Sequence, residues 1–274
     1  MKMYIKPILV IVLCLLLFSY GSKNFTVNSN DKIKVEMTTN YGTMLIELHN
    51  ETPLHRDNFL KLVEERAYDS LLFHRVIENF MIQGGDPDSK YAKSGAFLGE
   101  GDLDYSVEAE FRQNLFHKKG ALATAREETL GRVSSAMQFF IVQGKVFNDS
   151  TLNVAEDRIN NMIARHHIIN RDTTLFRAFH KAYENNKDKL AEKLNDSIQN
   201  LAASFSDFNR YVIPESHREV YKTIGGTPHL DQNYTVFGEV IKGLNIIDSI
   251  AKVKTDKWDR PVKNVVIKSI RILK

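Results

Sequence analysis

The order of apolar and polar positions divides the chain into an apolar amino-terminal run, a body of alternating segments, and a helical block set inside that body. Ile33, Val35 and Met37 alternate with polar residues, Asn40-Tyr41-Gly42 marks a turn, and Met44, Ile46 and Leu48 alternate again. Period two on both sides of a turn predicts a β-hairpin. Thr52 stands at a helix-cap position, Pro53 suits the first helical residue, and Phe59, Leu62 and Val63 recur on one face, which predicts a helix over 53–65. Strand-like runs follow at 71–77, 80–83, 120–125 and 138–142, and again at 234–240 and 262–272, with a short helix expected around 244–250.

From 150 to 221 the chain contains no glycine and its apolar residues recur at helical spacing. Ile159, Met162, Ile163 and His166 share one face, Leu175, Phe179 and Tyr183 another, and Leu190, Leu194, Ile198, Leu201 and Phe205 a third. Pro214 is expected to end this block. Packing against itself as a helical hairpin is one account of these apolar stripes, and a face that also takes part in binding is the other.

Lys2 and Lys6 precede an unbroken apolar run over 8–18, followed by Ser19, Tyr20, Gly21 and Ser22. A basic start, a short apolar stretch and a small-residue zone predict a secretory signal over 1–22, with a polar tether over 23–31. The expected location is the periplasm or cell envelope. The competing reading is an uncleaved amino-terminal membrane anchor, although a span would need roughly 20 apolar residues. Cleavage would remove the only cysteine, Cys14, so no disulfide is expected in the exported chain and no membrane span in the mature one.

Composition narrows the function classes. The 274 residues carry 37 basic and 34 acidic side chains, and 43% are hydrophobic, which is ordinary for a folded protein. Without Lys2 and Lys6 the charge is near neutral and no basic block is present, so nucleic acid is excluded as an expected partner. No spacing among the nine histidines forms a metal-ligand set, and His166-His167 point about 100° apart on a helix. Gly84-Gly85 lacks the remaining spacing of a phosphate loop.

The densest chemical pattern is FHRVIENFMIQGGDP, over 73–87. With QFFIV over 138–142 and LDQNYTVFGEV over 230–240, it resembles the signature blocks of the cyclophilin-type peptidyl-prolyl isomerases. The resemblance covers about 32–149 and 223–272. It implies a mainly β fold, a closed eight-stranded antiparallel cyclophilin-like barrel capped by two helices, formed by 32–149 and 222–274, with the helical subdomain 150–221 inserted. It further implies cis/trans isomerisation of X-Pro bonds in polypeptide clients, without a cofactor.

By position in the motifs, Arg75 is the catalytic guanidinium and Gln83 its partner on the peptide carbonyl. Phe80, Met81, Phe140 and Leu230 correspond to the walls of the proline pocket. Ala125 corresponds to the backbone position that meets the residue before proline, and Gln138 to a polar support near Arg75. Arg126 stands where many members carry asparagine, His229 where some carry a rim tryptophan, and Tyr234 where a histidine commonly closes the pocket. Isomerisation transfers no proton, so Tyr234 suffices as a ring wall, with altered peptide preference expected. The alternative function is a weakly catalytic proline-peptide-binding or chaperone module that uses the insertion for holding. Oligomeric state is not legible in the sequence.

Overall fold

The computed structural model describes residues 32–273. The signal and tether expectations over 1–22 and 23–31 lie outside the described residues. The predicted hairpin forms from β1 (Lys34–Thr39) and β2 (Gly42–Leu48). Val35, Met37, Met44, Ile46 and Leu48 all point inward and are fully buried, as period two requires when one face meets a core.

Helix α1 (Pro53–Glu64) follows, with Phe59, Leu62 and Val63 on its buried face. Its cap differs from expectation: the Thr52 side chain makes no capping bond, and its hydroxyl is buried without a partner. Proline at the first turn removes one donor that would otherwise need satisfying, which lessens the need for a cap.

The next elements are β3 (Phe73–Ile77), β4 (Met81–Gly84), the short β5 (Ser106–Val107), β6 (Ala121–Thr124), the short β7 (Ser134–Ser135) and β8 (Phe139–Val142). After the helical block come β9 (Val236–Lys242), α6 (Leu244–Ala251) and β10 (Ile267–Leu273). Eight strands form one antiparallel sheet in the order β10-β1-β2-β9-β6-β8-β4-β3, and β5 pairs with β7 separately.

The sheet curls without a continuous closing ladder, which corrects the expectation of a fully closed barrel. Its outer strands β3 and β10 meet only at a seam, with the bridge Leu72–Val266 flanked by bonds from Phe73 N to Val265 O (2.9 Å) and Ile267 N to Leu71 O (2.8 Å). Phe59 of α1 packs edge-on to Phe139 at 6.0 Å, and Ile247 and Ile250 of α6 are fully buried in the same cluster, so both helices contribute to the core.

The inserted block is four helices: α2 (Asp149–Arg171), α3 (Thr173–Glu184), α4 (Asp188–Ser204) and α5 (Glu215–Thr223). Asn148 caps α2 through a reciprocal pair with Thr151. Pro214 precedes the last helix rather than ending the block, a position that its fixed φ favours. The α4 stripe is also rotated from expectation: Ala191, Ile198 and Ala202 are buried, while Leu190 and Leu201 are 45% and 47% exposed. Small residues let α4 approach α2 and α3 closely, and three helices cannot enclose every leucine.

The insertion leaves and returns through a narrow neck. Lys145 and Gly226 exchange backbone bonds of 3.2 and 3.0 Å, and a Cβ on Gly144 would overlap the Gly226 backbone. Only glycine permits that approach, and Gly144 also sits at φ +66°. Residues 32–273 belong to one compact unit.

Candidate active site

The antiparallel register builds the site. Arg75 of β3 lies opposite Gln83 of β4, Gln83 opposite Phe140 of β8, and Phe140 opposite Ala123 of β6. One row across four strands therefore carries a guanidinium, an amide and an aromatic wall on adjacent strands. Alternation along β3 sends His74 inward, 3% exposed, and leaves the Arg75 side chain 43% exposed.

Polar side chains in this row hold one another. An Arg75 Nη donates to Gln83 Oε1 at 3.4 Å, Gln83 Nε2 donates to Gln138 Oε1 at 3.0 Å, and Gln138 Nε2 donates to the carbonyls of Gly99 (2.9 Å) and Gly101 (2.7 Å). Every amide orientation in the line follows from the next acceptor, so the relay fixes Gln83 with one Nε2 hydrogen still free. Gln138 thus supports Arg75 through Gln83 rather than by direct contact. On the other side, Asp259 Oδ2 lies 3.6 Å from Arg75 Nε.

Beside the relay is an apolar floor. Met81, Phe140 and Leu230 are 2%, 5% and 7% exposed and belong to one cluster with Val236, against which the half-buried Phe80 and Tyr234 pack. The Tyr234 ring stands at 80° to Phe140 with centroids 5.9 Å apart, and His229 stacks on Phe80 at 5.6 Å. Burial, together with the charges of His117, Arg158 and Lys145, lowers the His229 pKa to about 4. The rim imidazole is neutral at neutral pH.

Ala125 and Arg126 line a second cavity of about 280 Å³ together with Gln83 and Gln138. Both main-chain groups of Ala125 are used inside the fold, its N–H by Gln138 O (3.0 Å) and its carbonyl by Ser135 N (2.9 Å). The Ala125 carbonyl keeps a second lone pair, and Arg126 is the next main-chain position along the same cavity. The Arg126 side chain donates to Asn233 O at 2.7 Å and lies 4.9 Å over the Tyr234 ring, so it props the pocket wall.

All the sequence-derived site residues fall in this one region. Sequence reasoning missed Asp259, which reaches Arg75 from the loop before β10, and a buried network behind the floor. His117 Nδ1 shares a 2.8 Å bond with Asp231 Oδ1, and Tyr221 of the inserted α5 donates to Asp231 Oδ2 at 2.8 Å. The His117 ring stacks on Phe140 at 5.9 Å. Asp231 adjoins Leu230 in the third motif, but nothing local in the sequence pairs it with a tyrosine of the insertion. Among the described residues no group of three histidine, cysteine or acidic side chains is placed to hold a metal ion, and no helix is long and apolar enough to cross a membrane.

The family profile described as "Cyclophilin type peptidyl-prolyl cis-trans isomerase/CLD" matches residues 34–176 and 213–272. The chain belongs to this family. The part of this isomerase outside the match within the body is 177–212, the portion that contains most of α3 and all of α4. Two similar proteins, from Staphylococcus haemolyticus and Staphylococcus aureus, are each named "Putative peptidyl-prolyl cis-trans isomerase" and are 31% identical over 255 residues, covering 93% of this chain and 98% of each relative. A cyclophilin-type peptidyl-prolyl cis-trans isomerase of Cryptosporidium parvum shares the fold, with a TM-score of 0.54 at 20% identity over 89% of this chain and 99% of that one. A second structure of that protein, in the presence of the dipeptide Ala-Pro, gives 0.51 at 20% identity over 88% and 99%.

Proposed function

We propose that this isomerase turns X-Pro bonds of exported proteins as they fold, with Arg75 and Gln83 acting on the reacting peptide. The observation that carries the reading is the Arg75–Gln83–Gln138 relay beside the buried floor of Met81, Phe140 and Leu230. Export is supported by Lys2, Lys6 and the apolar run over 8–18.

The uncatalysed barrier of about 18–20 kcal/mol comes from conjugation of the nitrogen lone pair with the carbonyl. In the twisted peptide that lone pair is free to accept a hydrogen bond. A guanidinium aimed at the proline nitrogen binds the twisted form more strongly than the planar one, and differential binding of this kind lowers a barrier. A roughly 10⁴- to 10⁵-fold acceleration needs about 5–7 kcal/mol, whereas one charged hydrogen bond contributes about 1.5–3 kcal/mol. The remainder falls to Gln83, whose free Nε2 hydrogen holds the carbonyl beside the turning bond, and to the apolar floor, which seats the ring and removes water from both interactions. The main chain at Ala125 and Arg126 meets the residue before proline. Oxygen and nitrogen protons stay where they are throughout.

The test of the folding role is a refolding substrate whose slow phase is a proline cis/trans step, followed with catalytic amounts of the isomerase. The slow phase is expected to accelerate in proportion to enzyme. An unchanged slow phase would contradict a role in folding. Amino-terminal sequencing of the protein recovered from its native cells tests export: a new terminus near residue 22 is expected, and an intact Met1 in the cytoplasm would contradict it.

A further inference from the structure

The β4–β8 ladder has two ends, and each opens on a cavity. Gln83 faces Phe140 and Met81 faces Val142, so Gln138 and the Ala125–Arg126 cavity lie at one end, and Asn79 and Lys145 lie at the other. At this second end, between the neck of the insertion and α2, is a cavity of about 300 Å³. Phe147, Val154 and Ala155 provide its apolar wall, Lys145 and Arg158 its charges, and His229 separates it from Phe80 in the proline pocket. Its lining contains no carboxylate. The Lys145 ammonium lies 5.7 Å over the Phe147 ring, and both cations act on the His229 imidazole from this side.

We propose that this cavity is a specificity subsite for the two residues that follow proline, taking an apolar or aromatic side chain and then a carboxylate. The proposal rests on the functional reading above, which directs the residue before proline toward the cavity of Ala125 and Arg126. An extended peptide held that way leaves the pocket at the opposite end of the ladder, across His229 and against α2. Apolar walls with a few convergent polar groups are the usual composition of a ligand pocket. Two cations on such walls, with no acidic neighbour in the lining, select a negative partner and reject a positive one. The helix that supplies Val154, Ala155 and Arg158 belongs to the insertion, so the insertion acts on peptide choice while the barrel face performs the isomerisation.

The test compares two peptides, acetyl-Ala-Ala-Pro-Phe-Glu-amide and its lysine analogue acetyl-Ala-Ala-Pro-Phe-Lys-amide, by protease-free exchange spectroscopy with the purified protein. Exposed charge pairs are individually weak, so kcat/KM is expected to favour the glutamate peptide by roughly three- to tenfold at low salt. The preference shrinks in about 0.5 M salt, where charges are screened within a few ångströms. Arg158→Glu is expected to invert the ratio. Equal turnover of the two peptides, or a preference for lysine, would overturn the subsite and leave the isomerase reading standing. Turnover of neither peptide would overturn both.

Discussion

Arg75 is a useful guanidinium because of what holds it. Gln83 and Asp259 flank it, yet both contacts are long, at 3.4 and 3.6 Å, so the group is aimed without being neutralised by a tight ion pair. Gln138 stabilises this arrangement through Gln83. Gln138→Ala removes the acceptor that orients the Gln83 amide and frees the carbonyls of Gly99 and Gly101. A lost hydrogen bond of this kind is worth about 1 kcal/mol, so kcat/KM is expected to fall roughly fivefold, with kcat carrying most of the loss. Steady-state kinetics on a proline tetrapeptide checks it, and a change confined to KM would show that Gln138 serves ground-state binding only.

At the scale of elements, the hairpin, α1 and α6 were legible from their periods, and β4 and β8 as short apolar runs inside the motifs, although the cap expected of Thr52 does not form. Arg75, Phe80, Met81, Gln83, Phe140 and Leu230 were legible through their fixed order in three motifs. The joint between insertion and barrel was not, because it rests on pairs distant in sequence: Tyr221 on Asp231, and Leu152, Ile159 and Tyr221 clustered with Phe116 and Phe147. That joint changes the outcome of a deletion. Replacing residues 150–221 with a short Gly/Ser linker uncovers Phe116 and Phe147 and leaves the Asp231 carboxylate without its tyrosine donor. Thermal denaturation is expected to show the linker variant unfolded or strongly destabilised. The milder Tyr221→Phe keeps the ring and loses only the hydroxyl, at a cost of about 1–3 kcal/mol for the buried carboxylate. A linker variant as stable as the full protein would mean that the insertion is an appendage.

For the whole molecule, the buried imidazoles set a pH window. Burial lowers the His74 and His229 pKa values to about 4 from the ordinary 6.5, and both His74 nitrogens lack partners. Between those values the unfolded chain binds protons that the folded chain does not, so stability is full above about pH 6.5 and falls as pH drops toward 4. Denaturant titrations at pH 7 and 4.5 should differ by a few kcal/mol, and equal midpoints would contradict neutral burial of these rings. The same neutral, water-poor surroundings serve the reaction, which depends on one fixed charge meeting one nitrogen. The most direct measurement is kcat/KM for an X-Pro tetrapeptide with the unaltered protein and with Arg75→Ala, both verified as folded. Clear acceleration by the former and at least a tenfold loss in the latter are expected, about 1.4 kcal/mol or more of transition-state stabilisation. Equal rates for the two proteins would contradict it.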